Sequence, residues 1–586
     1  MNESPDSVLS QNKKSGLSVE QIVKTTQASA PDFNDREANS GQHLRRWFAF
    51  LSRQSAIAAL ILACVVLFSL YVRVADYGFY EDDYWGIVPW FKTPVAELWK
   101  ETISQLETWP TGRPLNHILP EWFSWLGYHL AGVEGIYFLG FLVHSLNAFL
   151  IYLLLRKWLG HWAAILAGCL LVLIPADTTR IFLLHSAHVH TSLTFLLIAL
   201  LITRTRFWAA AYPIAGLSLL SYETAFLPFI VFPLFFADRQ KRFSRWLLHL
   251  TGCGVVLAIV FGIRLHLGDA RANSVVSGPG EMLWKMVSSL WIGPETSLVT
   301  LGKAAVEAPH AQPPFAFLFA ALVALLVVVS PRLINEPVES PNRSKIGAVF
   351  LAGLAAWIFA YALTLTNYPP IQETGRLTST HVAAVFGLAC AIAALAAYLR
   401  SFSHSAIRLA VTTVMAIGVG WLTLYSFRIQ SGFAYAWAQE RRFWQQVFQL
   451  CPDITPKTRI FISGKEVRQS EFILTNSWAD PLVLEDAFSW NEGPILFYYD
   501  GMGAASDIRF ENGQVTWKPH FWKPERETLD LSDVIILKDD GNDLSRIDQL
   551  EIRELPFPLQ TKKLAESQPH PSPTPLTDLG RFLLKR

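Results

Sequence analysis

WAAAYPIAGLSLLSYETAFLPFIVFPLFF, residues Trp208–Phe236, is a nearly continuous apolar run of 29 residues, with Arg206 before it and Arg239, Lys241, Arg242 and Arg245 after it. Basic residues mark the cytoplasmic ends of membrane spans, so the chain enters and leaves this run on one side and crosses an even number of times. Two complete crossings of a hydrocarbon core about 30 Å thick need roughly 40 residues at ~1.5 Å rise each. The run is too short for that. It reads as two short helices meeting below the far surface, with Ser221-Tyr222-Glu223 at the bend. Non-helical backbone at that depth, and the Glu223 carboxylate, must be solvated by protein or by a cavity, which makes the bend a candidate site.

Working outward, the same punctuation organises the whole chain. Ser55–Val72 is the first span, and Arg45, Arg46 and Arg53 before it place the N-terminus in the cytoplasm. A long polar loop, 73–134, follows outside, and Gly135–Leu155 returns to Arg156-Lys157. His161–Pro175 goes out and Thr191–Thr203 comes back to Arg204 and Arg206. Beyond the bend, Trp246–Ile263 exits into a second long loop, 264–314, in which Glu281–Ile292 has the mixed aromatic and polar character of an interfacial helix. Phe315–Val329 returns to Arg332, Arg343 and Lys345, Ile346–Leu365 exits, His381–Leu399 returns to Arg400 and Arg408, and Leu409–Phe427 exits. The expected fold is an α-helical polytopic membrane protein of about eleven spans.

An odd count from a cytoplasmic start puts residues 428–586 outside the cytoplasm, as an extracytoplasmic soluble α+β domain. Arg459–Ser463, Pro494–Tyr499 and Asp533–Lys538 read as short buried strands. Glu440–Leu450 reads as an amphipathic helix with Phe443, Trp444, Val447 and Phe448 on one side. Residues 1–54 form the cytoplasmic tail; up to residue 44 it is too polar to bury a core, so the tail is expected to be disordered. The chain is 51% hydrophobic and 17% charged with a net charge of +1, which points to lipid as solvent and argues against nucleic acid as a partner. Of five cysteines, Cys64, Cys169, Cys253 and Cys390 are scattered through apolar runs and Cys451 stands alone, so they form neither a disulfide framework nor a zinc cluster.

Chemistry-bearing residues gather near the outer surface. Glu81-Asp82-Asp83 lies about ten residues past the first span; three adjacent carboxylates repel, so one becomes a proton acceptor of raised pKa unless a cation or divalent metal compensates. Read blandly, the same stretch is a solvated acidic turn. Further along the loop, Arg113 in Thr111-Gly112-Arg113-Pro114-Leu115-Asn116-His117 suits a phosphate or an acid partner, with Asn116 and His117 beside it. Arg376, in Thr374-Gly375-Arg376-Leu377, is a second cation, and its plain alternative is a snorkelling interfacial arginine. Arg180, His185, His188 and His190 follow the third span; the histidines do not share one helical face in a chelating arrangement, so they are read as cavity or interface residues and no metal set is assigned. His144 and Asn147 share a face of the second span.

An acidic pair after the first span, an Arg-Pro-Leu turn in one large outer loop, a Ser-x-Glu bend between two short spans and a late outer-loop arginine together resemble the GT-C superfamily of glycosyltransferases. The likeness covers about residues 55–427 and is nearest the protein O-mannosyltransferase and bacterial family-39-like branch. It implies a catalytic acid in the first outer loop, a polyprenyl- or dolichyl-phosphate sugar donor, and transfer on the outer face with inversion. By that resemblance the leading acid falls on Asp82 and the second on Asp83, with Glu81 an alternative register. The Arg-Pro-Leu element falls on Arg113, and Glu223 takes the place of the acid after the short fifth helix, where Tyr222 stands instead of the basic residue that often precedes it. The acceptor, a glycan, lipid or protein hydroxyl, stays open. Two other classes compete: a transporter or flippase of polyisoprenoid-linked material, and a non-catalytic envelope assembly protein. A transporter concentrates charges and broken helices at the midplane in two matching halves, whereas here charges collect in loops and no second half mirrors the first.

Overall fold

The structure is a computed structural model describing residues 53–236, 242–270, 272–273, 278–310, 312–334, 342–363, 369–402, 404–463, 470–473, 480–490, 495–499, 508–511, 514–517, 527–541, 543–552, 555–562 and 577–584. Most of the expected N-terminal tail lies outside them. Residues 58–586 form one compact unit.

The protein is a polytopic helical membrane protein with a small C-terminal sheet region. Each expected span falls on a helix. In chain order these are α1 (Arg53–Val66, continued by a π turn Leu67–Tyr71), α2 (Val95–Thr108), α3 (Leu115–Leu159), α4 (His161–Leu173), α5 (Leu183–Ile202), α6 (Ala211–Ser221), α7 (Leu227–Val231), α8 (Arg242–His266), α9 (Pro279–Glu307), α10 (Pro314–Leu333), α11 (Arg343–Phe359), α12 (Val382–Arg400) and α13 (Ser405–Leu450). Among the described residues seven helices are long and apolar enough to cross a membrane, and His161–Leu173, Trp208–Ser221 and Glu223–Phe236 are shorter apolar helices. The last two are the halves expected from the 29-residue run. They meet at Tyr222, whose backbone is extended (φ −152°, ψ 110°).

Lipid as solvent explains which faces are buried. In α10 the small or compact residues Ala316, Ala320, Val323, Val327 and Ser330 are buried, while Phe317, Leu318 and Leu325 are exposed. Hydrocarbon gives no drive to hide leucine, so close helix packing selects small side chains for the inside. Every residue of α4 but the first is buried, and at 13 residues it is about 20 Å long at ~1.5 Å per residue. It ends inside the protein, which is where non-helical backbone at membrane depth is tolerated. Arg180 closes that end: its guanidinium donates to the carbonyls of Ile174 (2.9 Å), Leu171 (3.3 Å) and Asp177 (2.7 Å).

Both long loops are more helical than the sequence reading expected. The first contains α2 and the opening of α3, which breaks at Ala131 and Gly132 (φ 65°), just before the expected re-entry at Gly135. Trp99, Ile103 and Leu106 form an exposed stripe on α2, and Trp99 meets Trp122 at 5.0 Å. Such an aromatic, one-sided helix suits an interface, and chain polarity alone hid its periodicity. In the second loop the expected interfacial segment extends to the 29 residues of α9, with Trp284, Val287 and Trp291 exposed and Gly293, Ser297 and Thr300 buried.

The expected boundary at residues 427 and 428 lies within α13, which runs 46 residues without a break. Its far end carries Phe443, Trp444, Val447 and Phe448 into the C-terminal region, all buried as expected. There β1 (Arg459–Ser463), β2 (Ile495–Tyr499), β3 (Ile508–Glu511), β4 (Gln514–Trp517), β5 (Glu527–Thr528), β6 (Val534–Asp539) and β7 (Leu544–Ile547) form a main sheet of order β2-β1-β6-β7 and a side sheet β3-β4-β5. β1 pairs in parallel with both neighbours, Phe461 lying opposite Phe497 and Ile536. Its Ile460-Phe461-Ile462 core is buried on both faces, as the continuous apolar run requires. A final helix, Asp578–Leu584, returns to the first loop: Phe582 stacks on Trp437 at 5.2 Å and meets Phe79 at 5.6 Å, and Asp578 bonds Lys92 and Tyr128.

Candidate active site

The acidic loop is anchored by its aromatics before its acids do anything. The Tyr77 hydroxyl donates to the Leu70 carbonyl (2.9 Å), the Tyr80 hydroxyl to the Phe433 carbonyl (3.1 Å) and the Tyr137 hydroxyl to the Gly78 carbonyl. The three acids that follow are held in three different ways. Glu81 has φ 49°, a left-handed conformation uncommon outside glycine, and is 5% exposed. Asp83 is fully buried, accepting the Leu184 N–H on Oδ1 (2.9 Å) and the Tyr80 N–H on Oδ2 (3.1 Å). It thereby caps the N-terminus of α5, a helix 101 residues away in sequence. Burial pushes its carboxyl up to about 7, against the partial relief of those two N–H groups.

Asp82 keeps an open edge. Its Oδ2 accepts from Arg376 Nη1 at 2.6 Å, Arg376 Nε lies 3.5 Å from Glu81 Oε2, and the Asp82 and Arg376 side chains are each 22% exposed. The arginine is fixed from behind: Gly375, at φ 83°, donates its N–H to Thr178 Oγ1 (3.0 Å), and Thr378 Oγ1 accepts the Thr178 N–H (2.9 Å). A polar bridge from the end of α4 to the start of α12 therefore aims the guanidinium at the first loop.

A second ion pair stands beside the first. Trp109, Thr111 and Gly112 (φ 46°, 53° and 68°) fold the turn that delivers Arg113. With Glu81, three of the four non-glycine residues of positive φ among those described flank the site's charged groups, and strain of this kind collects at functional sites. Arg113 Nε lies 3.2 Å from Glu223 Oε2, and its guanidinium sits 5.5 Å from the centroid of the Tyr222 ring. Arg264 Nε donates to the Gly112 carbonyl (2.8 Å), so α8 supports the turn. The two pairs communicate through Tyr222, whose hydroxyl is 3.0 Å from Ser379 Oγ, three residues after Arg376. Tyr222 thus contributes a ring and a hydroxyl where a basic residue was looked for, and Arg113 brings the cation from the first loop.

Histidines stand near both pairs. His185 and His188 are 5.6 Å apart on α5, His188 is 6.4 Å from Tyr222, and His117 is 5.7 Å from Trp85. His117 Nε2 and His185 Nδ1 are buried without a hydrogen-bond partner. Asn116 sits in the turn after Arg113, where its N–H bonds the Arg113 carbonyl. Arg180 belongs elsewhere, to a deeper cluster in which it pairs with Asp177 (3.5 Å), Asp177 approaches His190 (3.5 Å), and His144 meets His190 (4.5 Å). Among the described residues no three His, Cys, Asp or Glu side chains converge as a metal site. Thr178, Gly375, Ser379 and Arg264 were not singled out from sequence; an ordinary threonine, glycine or serine near a span end carries no signal until its partner is known.

Residues 113–263 match the family model of the dolichyl-phosphate-mannose-protein mannosyltransferases. The match supports a GT-C membrane glycosyltransferase. It begins on Arg113 and contains His185, His188, Tyr222 and Glu223, so it covers the Arg113 half of the site. Glu81, Asp82, Asp83 and Arg376 lie outside it and are joined to that half by the geometry above. No curated protein and no solved structure matches the chain.

Proposed function

We propose that this membrane glycosyltransferase moves a sugar from a polyprenyl-phosphate donor to an extracytoplasmic hydroxyl, with Asp82 as general base and inversion at the anomeric carbon. The observation that carries the reading is the Asp82–Arg376 pair, formed between segments 294 residues apart and left partly open to solvent. A single displacement needs a base for the acceptor proton and a cation for the departing phosphate. Here the two sit in one contact. When a donor phosphate takes Arg376, the Asp82 oxygen it occupied is released to the acceptor hydroxyl. The acceptor O–H proton then passes to Asp82, the acceptor oxygen bonds the anomeric carbon, and the bond from that carbon to the phosphate oxygen breaks toward the guanidinium. Arg113, held by Glu223, is the second cation beside the leaving group, with His117, His185 and His188 lining the cavity.

Asp83 is assigned to architecture, because both of its oxygens are taken by backbone N–H groups. Sidedness follows from the arginine punctuation of the spans: N-terminus in the cytoplasm of a plasma or inner membrane, both long loops and the C-terminal domain outside. The family name agrees with a lipid-linked sugar donor and with a protein or glycan acceptor. The test follows label from a polyprenyl-phosphate sugar in membranes carrying the protein. Asp82→Asn is expected to abolish transfer that Asp83→Asn largely retains. Full activity of Asp82→Asn removes the proposed base, and no transfer by the unmodified protein returns the question to transport or assembly.

A further inference from the structure

At the opposite end of α5 from the acidic loop the protein forms a partly open cavity of about 630 Å³. Asp83 meets α5 at Leu184, and the cavity wall begins at Leu200; at ~1.5 Å per residue the two lie about 24 Å apart along the helix. This space is separate from the candidate active site. Its walls come from the ends of α3, α5 and α7 and the start of α8.

The cavity is apolar and aromatic over most of its lining, with Arg204 and Arg245 in the wall and no carboxylate among the described residues that line it. Arg204 is held in place: Nη1 donates to the Leu154 carbonyl (2.6 Å), and its guanidinium lies 3.4 Å from the Trp158 ring centroid. Phe236 stacks on Trp158 at 3.8 Å and 4°, which leaves the guanidinium the other face. One N–H of five goes to that carbonyl, and a guanidinium fork fits phosphate oxygens. His249, Tyr212 and Trp246 in the wall are already committed. His249 takes the Tyr212 hydroxyl (3.1 Å) on Nδ1 and the Phe229 carbonyl (3.0 Å) on Nε2, and Trp246 Nε1 donates to the Leu234 carbonyl (2.7 Å).

Two positive charges with no carboxylate among the described lining residues, in an aromatic cavity between helix ends, match the chemistry of a lipid phosphate. A soluble anion has no use for the apolar wall, whereas basic pockets between helices suit anionic headgroups. We propose that the cavity binds an anionic phospholipid, Arg204 and Arg245 holding its phosphate and the aromatic wall its upper acyl chains. The proposal is independent of sugar transfer.

The full chain in detergent is titrated with phosphatidylglycerol, phosphatidylcholine or inorganic phosphate while thermal unfolding is followed. Phosphatidylglycerol is expected to raise the transition and the other two to leave it unchanged. Arg245→Glu, at an exposed position, should weaken the phosphatidylglycerol effect at least fivefold, and Arg204→Ala with Arg245→Ala roughly thirtyfold. Equal response to the two lipids, an unchanged response in Arg245→Glu, or a rise reproduced by millimolar inorganic phosphate overturns the proposal. Arg245→Glu keeps the test decisive if loss of the Arg204–Trp158 stack prevents folding of the double variant.

Discussion

Two Asp–Arg pairs in one membrane protein have opposite designs. Asp177 and Arg180 are 1% and 5% exposed, and their remaining polar atoms are absorbed by the protein: the arginine takes three carbonyls, and Asp177 Oδ1 takes the Thr179 N–H (2.9 Å) and hydroxyl (2.7 Å). Asp82 and Arg376 are each 22% exposed and bring together segments 294 residues apart. The first pair finishes a helix end that would otherwise leave carbonyls bare in hydrocarbon. The second stays partly open to solvent. Ionised residues in a membrane protein therefore divide by how fully the protein encloses them, and residue type does not separate the classes.

That division is broken most sharply by exchanging the two acids' fates. Asp82→Asn should lower kcat by about 10²–10⁴-fold with little change in thermal unfolding, as expected for loss of a general base. Asp177→Ala leaves a buried arginine uncompensated and should cost about 3–5 kcal/mol of stability, read as a lowered transition or loss of folded protein from the membrane. If Asp177→Ala folds normally, or Asp82→Asn unfolds, the distinction between the pairs fails.

A smaller effect is expected one step behind Arg376. Thr178→Val leaves the Gly375 N–H without its acceptor, while Thr378 keeps the Gly375 carbonyl and the Thr178 N–H, at a cost of about 1–3 kcal/mol. Because the turn aims Arg376, kcat/KM should fall roughly tenfold, while Thr178→Ser, which keeps the hydroxyl, should restore it. A purely structural role for Thr178 would lower the amount of folded protein and leave kcat/KM of the folded fraction untouched.

What the sequence disclosed and what it withheld divide along physical lines. The 29-residue run bounded by arginines forced the Tyr222 bend because helix rise and bilayer thickness are fixed quantities. Ile460-Phe461-Ile462 announced a strand buried on both faces. The continuity of α13 stayed hidden because the apolar run stops near Phe427 while the helix goes on as an amphipathic one, with Phe433, Trp437, Trp444 and Phe448 buried. Glu81, Asp82, Asp83, Arg113, Glu223 and Arg376 stood out as charges in apolar company. Which of them pair did not, because contacts across 294 residues leave no local pattern. Nor could spacing tell that Asp83 caps a helix while its neighbour Asp82 meets a guanidinium.

Those neighbours supply the smallest effect and the most direct comparison. An unfolded aspartate titrates near 3.9, whereas folded Asp83 titrates at about 7 because burial disfavours its charge. Between those values the native state holds the proton that the unfolded state has lost. Its contribution is therefore fully present below about pH 4 and lost as pH rises through about 7, with a slope of at most ~1.4 kcal/mol per unit. Asp83→Asn stays neutral and keeps an oxygen for the Leu184 N–H, so thermal unfolding followed between pH 5 and pH 7 (about the window of the shift) should show a shallower decline in the variant than in the unmodified protein. Parallel slopes for Asp83→Asn and the unmodified protein would place the titration elsewhere.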